Sequence, residues 1–272
     1  MELAGRVAIV TGGASGIGAA LCRRFAAEGA RGVVVADREA AGAAKVAAEI
    51  GGLGVASDVS HEADVAGLVA STRERFGRVD LFFANAGIAV GAGLDPLAAG
   101  PFASDADWDA SWRVNVMAHV YAARACLPEW LERGEGYFAS TASAAGLLMD
   151  MGTHAYTVTK HAAVAFAEWL AVAYGDRGVR VSCLCPQGVR TPMLLGAKEL
   201  GLGEHLLRGM REPEEVAAVV VEALRAERFL ILPHPEVAGY VQRRAADEDR
   251  WLAGMRRVRG RLYGGGEGAG RG

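Results

Sequence analysis

Apolar, β-branched stretches recur along the chain at Val7–Thr11, Gly32–Ala36, Gly54–Ser57, Leu81–Ala84, Tyr137–Ser140, Val179–Cys185 and Phe229–Leu232. Ala-rich, helix-favouring stretches lie between them: Gly18–Ala27, Glu39–Ile50, Glu62–Phe76, Asp107–Glu132, Ala155–Tyr174 and Glu214–Arg225. A continuous apolar run, rather than an alternating one, is the mark of a strand buried on both faces. Strand and helix in alternation imply βαβ crossovers, hence a parallel sheet with helices on both sides. The pattern therefore predicts an α/β, doubly wound parallel sheet of about seven strands. Residues 1–262 are expected to form a single domain, and 263–272, rich in glycine, a disordered tail.

Local punctuation agrees. Glycines in Glu28–Ala30 and Phe76–Arg78 fall just past expected helix ends. Pro213, followed by Glu214 and Glu215, suits a helix start, where a missing N–H is harmless and acid is favoured. Pro128 sits late in Asp107–Glu132 and predicts a kink or an early stop there. "FLILPHPEV" and "DRWLAGM" read as a last strand and a last helix, a possible further interface.

Composition narrows the classes. The chain has 272 residues, 51% hydrophobic and 22% charged, with a net charge of -3, enough for a sizeable core and unsuited to polyanions. Basic residues gather between Arg243 and Arg261, but Asp247, Glu248 and Asp249 interrupt them. That mixed-sign pattern reads as a solvated terminal helix, not a nucleic-acid surface. No run approaches the ~20 apolar residues of a membrane span. The opening "MELAGRVAIVTGG" lacks the pattern of a secretory signal. With Cys22, Cys126, Cys183 and Cys185 the only cysteines, reduced thiols and a cytoplasmic location are expected. Neither these nor the six histidines show ligand spacing, so no metal is expected.

Chemistry enters with "TGGASGIG", Thr11 to Gly18. It follows an apolar run and opens a helical pattern. Gly12, Gly16 and Gly18 would let the backbone turn tightly against a pyrophosphate, which the free N–H groups and dipole of the helix start would bind. The spacing is G-x-x-x-G-x-G, not the usual dinucleotide fingerprint. Asp37, nineteen residues after Gly18, ends the second strand, where an acid can hold an adenosine ribose diol. It could instead cap the next helix. A carboxylate there disfavours a 2′-phosphate, which points to NAD over NADP. Arg38 acts the other way.

"AYTVTK", Ala155 to Lys160, sets Tyr156 and Lys160 four residues apart, on one face of a helix. A cation within about 4–6 Å of a phenol favours the phenolate. Lowering its pKa by about three units takes about 4 kcal/mol, more than one exposed lysine supplies. A shielded pocket and a nicotinamide cation could add the rest. A phenol so tuned is a usable general acid and base. Ser143, thirteen residues earlier at the end of "YFASTAS", could hold a substrate oxygen beside it, with Ser140 and Thr141 as competitors. Asn115, polar in the apolar "WRVNVMAHV", could satisfy a kinked backbone, hold a water or point outward.

Taken together, these residues resemble the short-chain dehydrogenase/reductase family, in its shorter cytosolic type, from Gly5 to about Arg257. Thr11, Gly12, Gly16 and Gly18 are similar to its cofactor loop, with Ser15 and Ile17 between them. Asp58-Val59 resembles the acid that meets the adenine ring, and Asn85-Ala86-Gly87 its NAG turn. Asn115, Ser143, Tyr156 and Lys160 match its catalytic four. The resemblance implies a Rossmann-like domain and an NAD(P)-dependent interconversion of alcohol and ketone, with hydride passing to or from nicotinamide C4. It implies that Tyr156 trades a proton with the substrate oxygen and that Ser143 stabilises that oxygen. Lys160 would bind the nicotinamide ribose and depress the Tyr156 pKa, and Asn115 would hold a relay water.

Two departures stand out. Ala84 replaces the first Asn of N-N-A-G, at the expected cost of one local hydrogen bond. Pro186-Gln187-Gly188 stands where Pro-Gly is usual, leaving Val189 and Thr191 at the positions that grip the nicotinamide amide. Gln187 would then face the substrate. Leu147, Leu148, Met149, Met193, Leu194 and Leu195, with Ser143, are expected to border a substrate that is a hydrophobic alcohol or ketone, not a charged sugar or acid. Gly196, Gly201 and Gly203 suggest a mobile lid. The Ala155–Tyr174 helix is apolar nearly all round, so a second copy of the chain, in a dimer or tetramer, is expected against it, and also at Asp107–Leu127. The other reading is a catalytically inactive dinucleotide sensor, against which an intact Ser143, Tyr156 and Lys160 argues.

Overall fold

The computed structural model describes residues 1–91, 102–199, 207 and 209–263. Of the expected tail, 263–272, Tyr263 still belongs to the last helix (Glu248–Tyr263), and the rest lies outside the described residues, as do Gly201 and Gly203 of the expected lid.

The apolar runs form strands β1 (Val7–Thr11), β2 (Gly32–Asp37), β3 (Leu53–Ala56), β4 (Leu81–Ala84), β5 (Gly136–Thr141), β6 (Val179–Leu184) and β7 (Leu230–Ile231). They pair in parallel in the order β3-β2-β1-β4-β5-β6-β7. The five residues of β1 and the four of β4 are all buried, as continuous apolar runs require. Edge strand β3 instead alternates half-buried and exposed positions.

Helices α1 (Gly16–Ala27), α2 (Ala40–Ile50) and α3 (Glu62–Phe76) follow the first three strands. Next come α4 (Asp105–Trp112), a π-helical turn (Arg113–Met117) and α5 (Ala118–Arg133), then α6 (His154–Tyr174). Helices α7 (Pro192–Glu199), α8 (Pro213–Arg225), α9 (Glu236–Ala246) and α10 (Glu248–Tyr263) complete the chain. One apolar layer joins α1, α2 and α8 to one sheet face through residues such as Leu21, Phe25 and Val220. The other joins α3, α5 and α6 to the opposite face through Leu68, Trp130 and Leu170.

Pro128 does not stop its helix. Helix α5 runs past it to Arg133, and the irregularity falls instead at the π turn around Asn115. Glycine ends α2 and α3 in left-handed geometry, at Gly51 (φ 65°) and Gly77 (φ 81°). Gly196 lies inside α7.

Candidate active site

The strand order reverses between β1 and β4, whose following loops part there and open a crevice at the carboxyl ends of the strands. A cleft of about 1680 Å³ starts at this point. Its size suits a dinucleotide together with a second molecule.

At one end the glycine loop leaves β1. Gly12 (φ 66°) and Gly16 (φ 50°) occupy left-handed backbone, which only glycine adopts without strain. A Cβ on Gly16 would come within 2.9 Å of the Thr191 side chain. Ser15 precedes α1 without capping it, so its side chain leaves the first-turn N–H groups unclaimed. Gly12, Ser15, Gly16 and Ile17 line the cleft. Gly18 does not: a Cβ there would lie 2.0 Å from the Gly12 carbonyl oxygen and 2.7 Å from Asn85 Nδ2, so its bareness lets the loop fold onto the helix.

Asp37, Arg38, Asp58 and Val59 form the next part of the wall. The Asp37 carboxylate accepts N–H bonds from Ala14 and Glu39, both at 3.0 Å, and Glu39, not Asp37, stands at the N-cap position of α2, without a capping side-chain bond. It therefore ties the glycine loop to the end of β2 and keeps acceptor capacity for a ribose. Ser60, bonding through both side chain and backbone, holds the Asp58 carboxyl below its ordinary range.

Asn85, Ala86 and Gly87 cross the middle. Thr11 Oγ1 accepts the Asn85 and Ala86 N–H groups at 3.0 and 3.1 Å. Asn85 Nδ2 donates to the Thr11 carbonyl at 3.0 Å, and Thr141 Oγ1 donates to Asn85 Oδ1 at 2.9 Å. The Thr141 carbonyl in turn accepts from Lys160 Nζ at 2.8 Å. One hydrogen-bonded chain thus fixes the lysine against both parted loops. Sequence reading treated Thr141 only as a competitor of Ser143; its role here is carried by its carbonyl, which no side-chain motif reveals.

Ser143, Tyr156 and Lys160 share the cleft, as do Pro186, Gln187, Gly188, Val189 and Thr191. Ser143 begins a short 3-10 turn, its Oγ accepting the Ala145 N–H at 3.1 Å. Lys160 is 2% exposed, and burial pushes its ammonium down to about 8. Its Nζ lies 5.5 Å from the centre of the Tyr156 ring. In the cofactor-free protein Lys160 alone does not lower the half-buried phenol, as the need for a nicotinamide cation implied. Burial pushes it up to about 12, while a Ser143 hydrogen bond pulls the other way. The ammonium stands over the phenol ring, and its hydrogen bond goes to the Thr141 carbonyl.

Asn115 is fully buried and does not line the cleft. Its amide accepts the Ile88 N–H at 2.9 Å, donates to the Ile88 carbonyl at 2.9 Å and donates to Thr159 Oγ1 at 3.1 Å. The backbone it satisfies is that of Ile88, in the loop after β4, and not that of its own π turn. A Cβ on Gly87 would stand 3.2 Å from Lys160 Nζ and 3.3 Å from Asn115 Oδ1, so glycine keeps these groups close.

The rest of the cleft is largely apolar. Met149, Met193 and Leu194 line it with Leu148, Met151 and Trp251. Leu147 does not; it packs into the core beside Leu148. His234, absent from the sequence expectation, sits 3% exposed at the cleft and accepts the Gln187 N–H through Nδ1 at 3.1 Å.

The family described as short chain dehydrogenase matches residues 6–199, more than half of the chain. The chain belongs to this family. As a short-chain dehydrogenase it is an NAD(P)-dependent oxidoreductase acting on CH–OH donors. Momilactone A synthase of Oryza sativa is 33% identical over 93% of this chain and 88% of its own. The 1-deoxy-11-beta-hydroxypentalenate dehydrogenase of Streptomyces exfoliatus is 36% identical, over 92% and 90%. Among solved structures, a short-chain dehydrogenase/reductase from Burkholderia phymatum in complex with NAD aligns with a TM-score of 0.82. It is 30% identical, over 92% of this chain and 96% of its own. No helix among the described residues is long and apolar enough to cross a membrane.

Proposed function

We propose that the enzyme interconverts a secondary alcohol and a ketone on a hydrophobic substrate, with Tyr156 as the proton-exchanging group. One observation carries this reading: Ser143, Tyr156 and Lys160 meet in the cleft whose far end is the glycine loop and Asp37. The residues present fit a nicotinamide dinucleotide. Gly12 and Gly16 leave a cradle that side chains would fill, the uncapped start of α1 offers N–H groups to a pyrophosphate, and Asp37 stands ready for ribose hydroxyls. When bound, the nicotinamide supplies the two-electron redox partner.

The chain's own groups do the remaining work. Ser143, whose Oγ accepts the Ala145 N–H, donates its one hydroxyl proton to the substrate oxygen beside the phenol. Tyr156 stays protonated at neutral pH in the cofactor-free protein, which poises it to give a proton to a carbonyl oxygen. Lys160, its charge uncovered by any carboxylate partner among the described residues and its ammonium anchored on the Thr141 carbonyl, is placed to hold ribose hydroxyls. Asn115 keeps the floor of the site in place through Ile88, and a relay water at its carbonyl belongs to this proposal. The apolar side is formed by Met149, Met193 and Leu194, with Gln187 placed to orient a polar substituent.

NAD is the preferred form, because the carboxylates of Asp37 and Glu39 would repel a 2′-phosphate. Arg38 is exposed, 3.9 Å from Glu39, and offsets this only weakly. Residues 1–262 act as one catalytic domain, the protein works in the cytoplasm, and it assembles as a dimer or tetramer. The uncovered Trp169 (57% exposed) and Val172 (86%) on α6 support the assembly.

The test is absorbance at the reduced-nicotinamide band with a panel of lipophilic secondary alcohols, wild type against Tyr156→Phe. Turnover that falls about 10²–10⁴-fold in the variant is expected. Tight dinucleotide binding with no wild-type turnover on any alcohol would favour the sensor reading.

A further inference from the structure

The basic stretch near the C-terminus is not simply a solvated face. Helix α10 carries Arg250, Arg257 and Arg261, seven and eleven residues apart. At 100° per residue these fall within about 40° of one another, a single stripe along the helix. A second stripe, Trp251, Met255 and Val258, runs beside it at helical spacing. All six residues line the cleft that holds Tyr156. The helix pair is fastened over that cleft: Arg244 of α9 donates to the carbonyls of Leu147 and Leu148 at 3.1 and 2.8 Å and pairs with Glu248 at the start of α10. Trp251 packs against the Ala144, Leu148 and Val237 cluster.

The three arginines differ from others on the fold. Arg73, Arg180 and Arg190 are held in ion pairs by glutamates. Among the described residues no carboxylate lies within ion-pair reach of the side chains of Arg250, Arg257 or Arg261. Arg243 adds a fourth cation at the rim, stacked over Tyr240 at 4.8 Å. The acids facing this part of the cleft are Asp150, Glu236 and Asp247. Asp150 is engaged by Gly152 and Thr153, and Asp247 by the Arg250 N–H. Arg243, Arg250, Arg257 and Arg261 thus line the same cleft as the apolar Leu148, Met149 and Trp251.

We infer that the substrate is amphiphilic: an apolar body bearing the alcohol or ketone, and an anionic tail, carboxylate or phosphate, held by the arginine stripe of α10. Guanidinium forks match both anions. This rests on the alcohol–ketone reading of the site and amends its sequence-based form, which excluded an acid.

Lithocholate, a lipophilic secondary alcohol with a terminal carboxylate, its methyl ester, and the analogue ending in a phosphate monoester are the probes. Oxidation by wild type is compared with that by Arg250→Gln/Arg257→Gln/Arg261→Gln, three exposed positions. A KM for the acid at least 10-fold below that of the ester, lost in the triple variant and weakened by salt, is expected. The dinucleotide KM should not move. A phosphate probe favoured over the acid by a further 10-fold would identify phosphate as the tail. Equal KM values for acid and ester, or an acid preference that survives in the triple variant, would overturn the inference. So would a triple variant impaired only in dinucleotide binding. If no probe is turned over, the difference in Trp251 fluorescence (wild type against Trp251→Phe) titrated with acid and ester decides the same question. Acid binding at least 10-fold tighter than ester binding supports the stripe, and equal or no binding of both refutes it. Failure of the dehydrogenase reading shows separately, as absence of turnover on every alcohol tried.

Discussion

Replacing Lys160 by methionine should make the cofactor-free protein more stable at neutral pH while destroying its activity. The ammonium is 2% exposed, and burial lowers its pKa from 10.5 to about 8. A shift of that size corresponds to about 3 kcal/mol of destabilisation whenever the group is charged in both states. Against it stands the bond to the Thr141 carbonyl at 2.8 Å, whose loss leaves a buried acceptor unpaired at a cost of about 1–3 kcal/mol. Methionine fills most of the same volume. The difference leaves Lys160→Met more stable by about 1 kcal/mol at pH 7.

The pH dependence separates the two terms. The folded pKa lies below the unfolded one, so from about pH 8 to 10.5 the unfolded chain holds more protons at this site. Wild-type stability relative to the variant must therefore rise with pH across that window, by at most about 1.4 kcal/mol per unit, and level off above it. The order of stability should invert, the variant becoming the weaker by about 2 kcal/mol once the burial penalty has gone. Urea unfolding of both proteins at intervals from pH 7 to 10.5, without dinucleotide, measures this. The variant's turnover should fall at least about 100-fold. A stability difference that stays flat from pH 8 to 10.5 would refute the claim that the lysine is held charged against burial.

Gly18→Ala should weaken dinucleotide binding more than about 10-fold and cost about 1–3 kcal/mol, because its Cβ would meet the Gly12 carbonyl at 2.0 Å. Fluorescence titration with the reduced dinucleotide checks it, and an unchanged affinity would remove the packing argument. Gly67→Ala, in α3 with nothing within 4 Å of its Cβ, should instead stabilise by about 0.5–1 kcal/mol in thermal unfolding. Asp37→Ser should raise the KM for NAD about 10-fold and move the NADP/NAD preference at least as far the other way; unaltered preference would place the ribose elsewhere. It should also loosen the glycine loop, since Ala14 loses its acceptor. Val172→Glu, at an 86% exposed position, should leave Tyr156 chemistry intact and shift the sedimentation of the enzyme towards monomer; a wild type already monomeric at micromolar concentration would defeat the proposed assembly.

The parts of this enzyme legible in its sequence are those set by local pattern. Strands β1 and β4 were plain because both their faces are buried, so every residue except the terminal Thr11 is apolar. Edge strand β3 and the two-residue β7 carry a weaker signal and were placed only approximately. The glycine loop, Asp37 and the helix bearing Tyr156 and Lys160 follow from spacing, since backbone geometry fixes which residues share a turn or a face. What spacing does not encode is environment. The phenol and the ammonium were expected to interact as charges, yet each is shifted chiefly by burial, a property of the whole sheet and its loops. Gly18 was expected to line the cleft from the glycine-loop motif and Leu147 from its apolar segment, yet both pack inward, Gly18 against the Gly12 carbonyl and Leu147 against the core. Pro128 illustrates the converse, a strong local signal overridden where α5 is held against α3 by contacts such as Arg73 to Glu129 and to the Ala125 carbonyl. The arginines of α10 lie beyond what local pattern encodes. On the sequence they form part of a mixed-charge helix, indistinguishable from a solvated one. Only the fold, by hanging that helix over the cleft, turns its polar stripe into a surface that a substrate's anionic end would meet.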